Sequence, residues 1–171
     1  LQGRLDRGEV RRAELRPLRR VRIDQSGART VSVSTPGSLE TLVTYPDGST
    51  ERTVFGPDPR FGTASPILVR REERTPNGKV RTTLNSRTVA LADPVDPLST
   101  LSLTDQVTVD GATWRYDFTR GTPSRLVVTS PEGRVRERRY DAHGRLVEMR
   151  GGPNLDPVVY TYGPGGRLDR I

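Results

Sequence analysis

Short tight-turn motifs recur along this sequence and restrict its fold more than any other feature. Most of them place Asp, Asn or Pro close before a glycine. Glycine, and to a lesser extent Asn and Asp, readily adopts the left-handed backbone that closes a tight hairpin, and proline favours the turn position before it. Strand-like runs separate the motifs, so the sequence predicts an all-β fold of antiparallel hairpins arranged as a meander. The seven motifs are DQSG (24–27), PDG (46–48), PNG (76–78), VDG (109–111), PEG (131–133), DAHG (141–144) and GPGG (163–166).

The spacing of the turn glycines predicts a repeat. From position 111 onward the glycines that end these motifs are separated by 22, 11 and 22 residues. Eleven residues accommodate one strand and one turn, and twice that length accommodates a hairpin. A unit of this size cannot bury its own edges, so we expect consecutive units to pair in an array. The glycines expected to close turns are Gly48, Gly78, Gly111, Gly133, Gly144 and Gly166.

Alternation with a period of two identifies strands between the turns. Residues 30–34 (TVSVS) alternate strictly, and Trp114, Tyr116 and Phe118 share one face of another predicted strand. Aromatic ladders of this kind stabilise neighbouring strands. We therefore expect the three aromatic residues to pack within the sheet rather than to form a ligand-stacking platform.

The composition favours a sheet that is wetted on much of both faces. Leu, Ile, Val and Phe account for only 40 of the 171 residues, whereas Gly and Pro are frequent at 17 and 14. Long helices are not expected, and the one helical candidate, residues 8–20, is interrupted by Pro17. Cysteine is absent, which excludes disulfides, thiolate metal sites and cysteine nucleophiles. No apolar run reaches the length of a membrane span.

Positive charge is concentrated near the beginning of the chain. The formal net charge is +7, and residues 1–22 contain eight arginines against three acidic residues. An anionic partner is therefore permitted. Arginine on solvated strand positions explains the same imbalance, since the chain has a single lysine, Lys79. No nucleic-acid-binding motif accompanies the charge, so nucleic acid is not expected as a partner.

Two C-terminal segments, RRYDAHGRLVE (138–148) and VYTYGPGGRLDRI (159–171), resemble YD repeats, the unit of bacterial Rhs proteins and teneurins. That repeat alternates a turn, a strand ending in Tyr-Asp and the sequence x-x-G-R-L. Here Tyr140-Asp141 and Gly144-Arg145-Leu146 carry the resemblance. In the last copy Tyr162-Gly163 replaces Tyr-Asp, so the signature aspartate is missing.

The resemblance extends over residues 40–171 and implies a β-sheet that spirals into a hollow shell. WRYDFTRGTPSRLVV (114–128) is a weaker copy, and 45–69 and 91–114 are similar to the stretch that leads into the shell of teneurin-like bacterial proteins. In Rhs proteins the shell encloses a polypeptide, and in teneurins it is an extracellular scaffold. We expect residues 1–39 to form a basic, β-structured lead-in segment and residues 40–171 to form the shell segment.

The pentapeptide GRLDR occurs at 3–7 and again at 166–170, which suggests a repeat array that continues beyond both ends. Flanking repeats of the same polypeptide would then be partners of the terminal strands. Unpaired terminal strands expose open sheet edges, so a homo-oligomer or an end-to-end filament is also expected.

Catalytic constellations are not found in the sequence. His143 is the only histidine and lies in the DAHG turn, without a separate residue to orient it as a base. Most aspartates lie in turns or before proline, where a structural role explains them, as it does for Asp141. We expect no enzymatic activity, and no bound metal or cofactor. A hydrolase that relies on carboxylates is the less favoured alternative.

The sequence thus predicts a non-catalytic structural segment of a secreted or surface YD/Rhs-repeat protein of bacterial type, whose export signal would lie outside this chain. Its shell would enclose a polypeptide, such as a toxin, or act as an extracellular scaffold. The alternative is a module that binds cell-surface glycans in adhesion, or an anionic polymer through residues 1–22. The residues expected to pack the sheet are Trp114, Tyr116, Phe118, Tyr140, Tyr160 and Tyr162.

Overall fold

The computed structural model of the chain describes residues 16–35 and 37–171. Within these ranges the chain forms strands and turns and no helix. The strands are β1 (Leu18–Ile23), β2 (Arg29–Thr35), β3 (Glu40–Thr44), β4 (Thr50–Asp58), β5 (Gly62–Arg74), β6 (Val80–Leu91), β7 (Thr100–Val109), β8 (Ala112–Thr119), β9 (Ser124–Thr129), β10 (Val135–Tyr140), β11 (Leu146–Arg150), β12 (Val158–Val159), β13 (Thr161–Tyr162) and β14 (Leu168–Arg170).

The strands form an antiparallel meander. β1 to β12 lie side by side in chain order in one 12-stranded sheet, and β13 pairs with β14 in a second, two-stranded sheet. Only Tyr160 separates β12 from β13, so the chain passes from one sheet to the other without a loop. The large sheet is open rather than closed into a barrel, as in a curved wall. The predicted all-β fold of antiparallel hairpins is confirmed.

Six of the turns repeat one backbone hydrogen-bond pattern. In the turn that begins at Tyr45, the N–H of Gly48 donates to the Tyr45 carbonyl at 3.0 Å, and the N–H of Tyr45 donates to the Ser49 carbonyl at 2.9 Å. The same pair of bonds occurs in the turns that begin at residues 24, 75, 130, 141 and 163. In each of the six the fourth residue is a glycine with φ between 72° and 85°. Glycine is favoured there because other residues are strained at positive φ.

The turn between β7 and β8 is shorter. Asp110 and Gly111 alone connect the two strands, with φ values of 49° and 88°. Positive φ at both central residues is typical of the two-residue type I′ hairpin, for which Asp-Gly is a preferred sequence.

The ladder between β5 and β6 covers only part of either strand. Residues 70–74 of β5 pair with residues 80–84 of β6. Beyond that point, among the described strands, residues 62–69 pair only with β4, and residues 85–91 pair only with β7. The β4–β5 register shifts after Val54 and again after Gly56, and such bulges bend a hairpin. The sheet therefore splits between the β4–β5 and β6–β7 hairpins.

No apolar side chain is buried anywhere in the described ranges. The one buried residue there is Asp58, which is 3% exposed. The strand side chains are mostly half-buried, because each face of the sheet is covered only by its own neighbouring side chains. Stability therefore rests on contacts between adjacent strands rather than on a central core.

The predicted segment boundary at residue 39/40 falls inside the sheet. β2 pairs with β3 across it, from Val31 opposite Thr44 to Thr35 opposite Glu40. In the lead-in segment, residues 18–23 and 29–35 are strands. The first GRLDR copy, at 3–7, and most of the helical candidate lie outside the described residues, and residues 18–20 of that candidate belong to β1. The second GRLDR copy contains the last repeat turn glycine and β14.

Candidate functional site

The strand register places the three predicted aromatic residues on one side of the sheet. In β8, Trp114, Tyr116 and Phe118 lie on the same face because strand side chains alternate. Their partners in β7 are Val107 opposite Trp114 and Leu103 opposite Phe118. All are half-buried rather than covered. We call this side of β7, β8 and β9 the aromatic face.

β9 extends the aromatic face. Val128 lies opposite Tyr116, and Leu126 lies opposite Phe118. A band of apolar side chains therefore crosses three strands, interrupted in β7 by Asp105, which lies opposite Tyr116. Every extensive contact of these strands is with their neighbours in the sheet. A band of this kind suits contact with another apolar surface.

The opposite side of β8 and β9 continues onto β10 and β11 and carries linked ion pairs. We call it the charged face. Arg125 Nη2 lies 2.7 Å from Glu137 Oε2, and Arg139 Nε lies 2.9 Å from Glu137 Oε1. Arg139 also reaches Glu148 at 3.3 Å. Hydrogen bonds from Arg125, and secondarily from Arg139, lower the pKa of Glu137 to about 2. In β8, Arg115 and Asp117 form a further pair at 2.6 Å.

Asp141 of the Tyr-Asp pair and Arg145 of the G-R-L sequence contact each other. Asp141 Oδ1 accepts the N–H groups of His143 and Arg145, each at 2.9 Å, so the aspartate closes its own turn. Its Oδ2 accepts from Arg145 Nε at 2.7 Å. The backbone bond from Arg145 is the main reason that the pKa of Asp141 is lowered. Gly163 holds the equivalent first position in the last turn and supplies no such carboxylate.

Arg145 also connects this turn to β13. Its guanidinium lies over the ring of Tyr162, 4.7 Å from the centroid, and the Tyr162 hydroxyl donates to the Leu146 carbonyl at 2.7 Å. A cation over an aromatic face is attracted electrostatically. The sequence identified Tyr162 as a packing residue but did not indicate that Arg145 would be its partner.

The other two predicted tyrosines lie in the same region. Tyr140 ends β10 opposite Ser124 of β9 and Leu146 of β11. The N–H of Tyr160 donates to the Val147 carbonyl at 2.9 Å, which continues the pairing of β12 with β11. Both side chains are half-buried.

An ion-pair cluster at the split in the sheet was not predicted as a unit. Arg87 makes a bidentate pair with Asp105, at 2.6 and 2.7 Å, and donates to Asp58 Oδ2 at 2.9 Å. Arg60, two residues after Asp58, binds the same carboxylate through its backbone N–H at 2.7 Å. Hydrogen bonds from Arg60, supported by Arg87, hold the pKa of Asp58 far below its ordinary value. The bonds to Asp105 and Asp58 raise the pKa of Arg87.

From the sequence alone, Asp58 is interpreted only as one of the aspartates that precede proline. Asp58 and Arg87 are 29 residues apart, and Arg87 and Asp105 are 18 apart. No local pattern connects such positions, and only the strand register could have placed them together. The three charged groups satisfy one another and leave no free base or nucleophile.

Grouped metal ligands are not found among residues 16–35 and 37–171. His143 lies in its turn, where its backbone N–H donates to Asp141. The described part of the chain contains no helix that could cross a membrane. No protein-family model matches this sequence, and no curated protein matches it either.

Proposed function

We propose that this chain is a non-catalytic structural segment of a secreted or surface YD/Rhs-repeat protein. Its sheet would form part of a wall that encloses a polypeptide or acts as an extracellular scaffold. The observation that carries the proposal is an open meander of hairpins in which apolar side chains of β7, β8 and β9 meet on one face and linked ion pairs of β8 to β11 lie on the other. The first face also carries the Arg87–Asp105 pair, where β7 meets β6. Such a sheet suits a wall with one mostly apolar side.

The two faces differ in what they offer to a partner. On the aromatic face the apolar side chains of β8 and β9 are half-buried and adjacent in the register, and those of β7 flank Asp105. On the charged face the carboxylates of Asp117 and Glu137 are already bound by arginines. An unfolded polypeptide would therefore gain more from contact with the aromatic face. We assign that face to the interior of the wall.

The only tryptophan of the chain, Trp114, reports on this assignment. We expect reduced, carboxymethylated ribonuclease A, a permanently unfolded polypeptide that contains no tryptophan, to shift Trp114 emission to shorter wavelength by excluding water. A fluorescence titration measures the effect. An emission spectrum that does not change at saturating ribonuclease would contradict the interior assignment.

Two adjacent valines of β9 provide a matched pair of variants. Val128 lies on the aromatic face opposite Tyr116, and Val127 lies on the charged face opposite Asp117. Val128→Ser should weaken binding of the unfolded ribonuclease several-fold, because it removes apolar contact. Val127→Ser makes the same chemical change on the other face and should leave binding within about twofold of the wild-type value. Equal effects of the two substitutions would show that the aromatic face is not the contact surface.

Binding of an anionic glycan or polymer is the second candidate, and β1 favours it. All six residues of β1 are exposed. Arg16, Arg19, Arg20 and Arg22 have no ion-pair partner among the described carboxylates. A row of unpaired cations on an exposed strand attracts a polyanion in a salt-dependent manner.

Retention on a heparin column tests this candidate. The double variant Arg20→Gln/Arg22→Gln should elute at lower salt than the wild type, because it removes two unpaired charges from one face of β1. The double variant Arg52→Gln/Arg115→Gln removes the same charge from arginines that are already paired, and should elute close to the wild type. Equal elution of the two variants would exclude β1 as the binding strand.

A further inference from the structure

The hydrogen-bond register of β6 determines which of its main-chain groups point toward β5. The N–H of Asp110 donates to the Thr82 carbonyl at 2.9 Å, so Thr82 and every second residue after it face β7. The main chain of Asn85, Arg87 and Val89 therefore faces the other side. The last pair of the β5–β6 ladder, Arg70 with Leu84, is closed by the N–H of Asn85, so Asn85 is still paired with β5. Beyond it, the N–H and C=O groups of Arg87 and Val89 have no strand partner in the described part of the chain.

Side-chain bridges hold the β4–β5 hairpin away from this free edge. Arg87 is fixed by Asp105 and reaches across to Asp58. Asn85 Nδ2 donates to the Leu68 carbonyl at 3.1 Å, where a main-chain pair would otherwise continue the ladder. A cavity of about 300 Å³ remains between the two hairpins. The Asn85–Leu68 and Arg87–Asp58 contacts therefore hold the edge of β6 open.

The free edge of β6 lacks the features that normally prevent sheet edges from pairing. Proteins protect such edges with charged side chains or proline. β1, at the end of the sheet, carries three arginines, and the unpaired part of β5 contains Pro66, which has no N–H to donate. Residues 85–91 (NSRTVAL) include one charged residue, Arg87, and two carboxylates already bind it.

We propose that residues 85–91 bind one extended, uncharged polypeptide segment of about five to seven residues by strand addition. Main-chain groups of Arg87 and Val89 would pair with the segment. The side chains of Ser86, Thr88 and Ala90 are small and uncharged, so they permit close approach. The occupant is a single strand rather than the sheet of a second copy, because the β4–β5 hairpin stands beside the edge. This site does not depend on whether the chain belongs to a shell.

A synthetic peptide tests the proposal. The probe is fluorescein-labelled Thr-Val-Thr-Val-Thr-Val-Thr between pairs of lysines, and its control has every amide of the heptad N-methylated. We expect the first peptide to bind by fluorescence anisotropy and to slow hydrogen exchange at Arg87 and Val89, but not at the already paired Asn85, Ser86 and Thr88. The methylated peptide keeps the side chains but has no donors, and should not bind. Equal binding by both peptides, or no binding at millimolar concentration, would overturn strand addition.

Two substitutions at one position separate the main chain from the side chain. Val89→Pro removes an outward N–H without touching a β6–β7 bond, and should weaken peptide binding about tenfold. Val89→Ala retains the N–H and should bind within about twofold of the wild type. If Val89→Pro does not fold, the exchange pattern of the wild type decides the question. Protection located on other strands, or a dimer that protects the amides of Arg87 and Val89 without peptide, would refute the proposal.

Discussion

Asp58 links the β4–β5 hairpin to the β6–β7 hairpin in the middle of the sheet. It ends β4, is almost completely buried, and is bound by Arg60 from its own turn and by Arg87 from β6. A carboxylate removed from water is tolerated only while cations and donors surround it. The charge of Asp58 therefore requires both hairpins to be in place.

Arg87→Ala should destabilise the protein by about 3 kcal/mol, because it leaves a buried carboxylate without one of its partners. Urea unfolding followed by circular dichroism measures the change. Arg115→Ala breaks the Arg115–Asp117 pair, in which the arginine side chain is 49% exposed, and should cost less than about 1 kcal/mol. Similar costs for the two variants would indicate that the Asp58 cluster is no more important than a surface pair.

Glu137 gives the charged face a defined dependence on pH. Its folded-state pKa of about 2 lies below its ordinary value of 4.5. A carboxyl group whose pKa is lowered by folding contributes stability that is fully present above its ordinary pKa. That contribution is lost as the pH falls from 4.5 toward about 2.

The variant Glu137→Gln should therefore lose less stability than the wild type between pH 4.5 and pH 2. We expect a difference of about 1 to 2 kcal/mol, since solvent screens the half-exposed arginine partners. Unfolding curves at a series of pH values provide the measurement. Parallel curves for the two proteins would rule out this role of Glu137.

The repeated turn is the element that the sequence identifies best. Its conformation is local, so the residue types alone predicted seven turns, and the glycine of each has positive φ in the structure. Side-chain alternation likewise placed Trp114, Tyr116 and Phe118 on one face. The split between β5 and β6 was not predictable, because it depends on the contact of Asp58 with Arg87 between two hairpins. The same holds for the uncovered edge of β6.

The last of these turns lacks the carboxylate that closes two of its equivalents. Asp24 and Asp141 each accept the N–H groups of the second and fourth residues after them, whereas Gly163 has no side chain at that position. A Cβ at Gly163 would meet no atom within 4 Å. The position can therefore accept an aspartate.

Gly163→Asp should raise the free energy of unfolding of the C-terminal hairpin by about 1 kcal/mol, because the new carboxylate can accept the N–H groups of Gly165 and Arg167. Hydrogen exchange of residues 161–170 measures this. Gly144→Ala is the contrasting variant, because φ is +77° there and the substitution should destabilise by about 1 kcal/mol. Unchanged exchange in Gly163→Asp would show that the carboxylate does not close that turn.

At the scale of the whole molecule, the sheet lacks a shared core. Within the described residues every extensive contact is between strands adjacent in one sheet. The two most extensive of these are β4 with β5 and β6 with β7. Stability should therefore vary along the chain as it does in other linear arrays.

Native-state hydrogen exchange should reveal this gradient. We expect the amides of β4 to β9 to exchange most slowly and those of β1, β13 and β14 to exchange most rapidly, without one common rate. In Arg87→Ala, protection should fall in β4 to β7 while β10 and β11 change little. A uniform loss of protection over all strands would mean that the sheet unfolds as a single cooperative unit.

Nearest-neighbour stability has a consequence for the length of the molecule. A globular domain that gains a hairpin must repack its interior, but this sheet has no interior to disturb. Copying one hairpin of the β9–β11 region should widen the sheet by about 10 Å, two strand spacings, and leave distant strands unchanged. The number of strands could then be adjusted to the size of whatever the sheet surrounds, with no redesign of the parts already present.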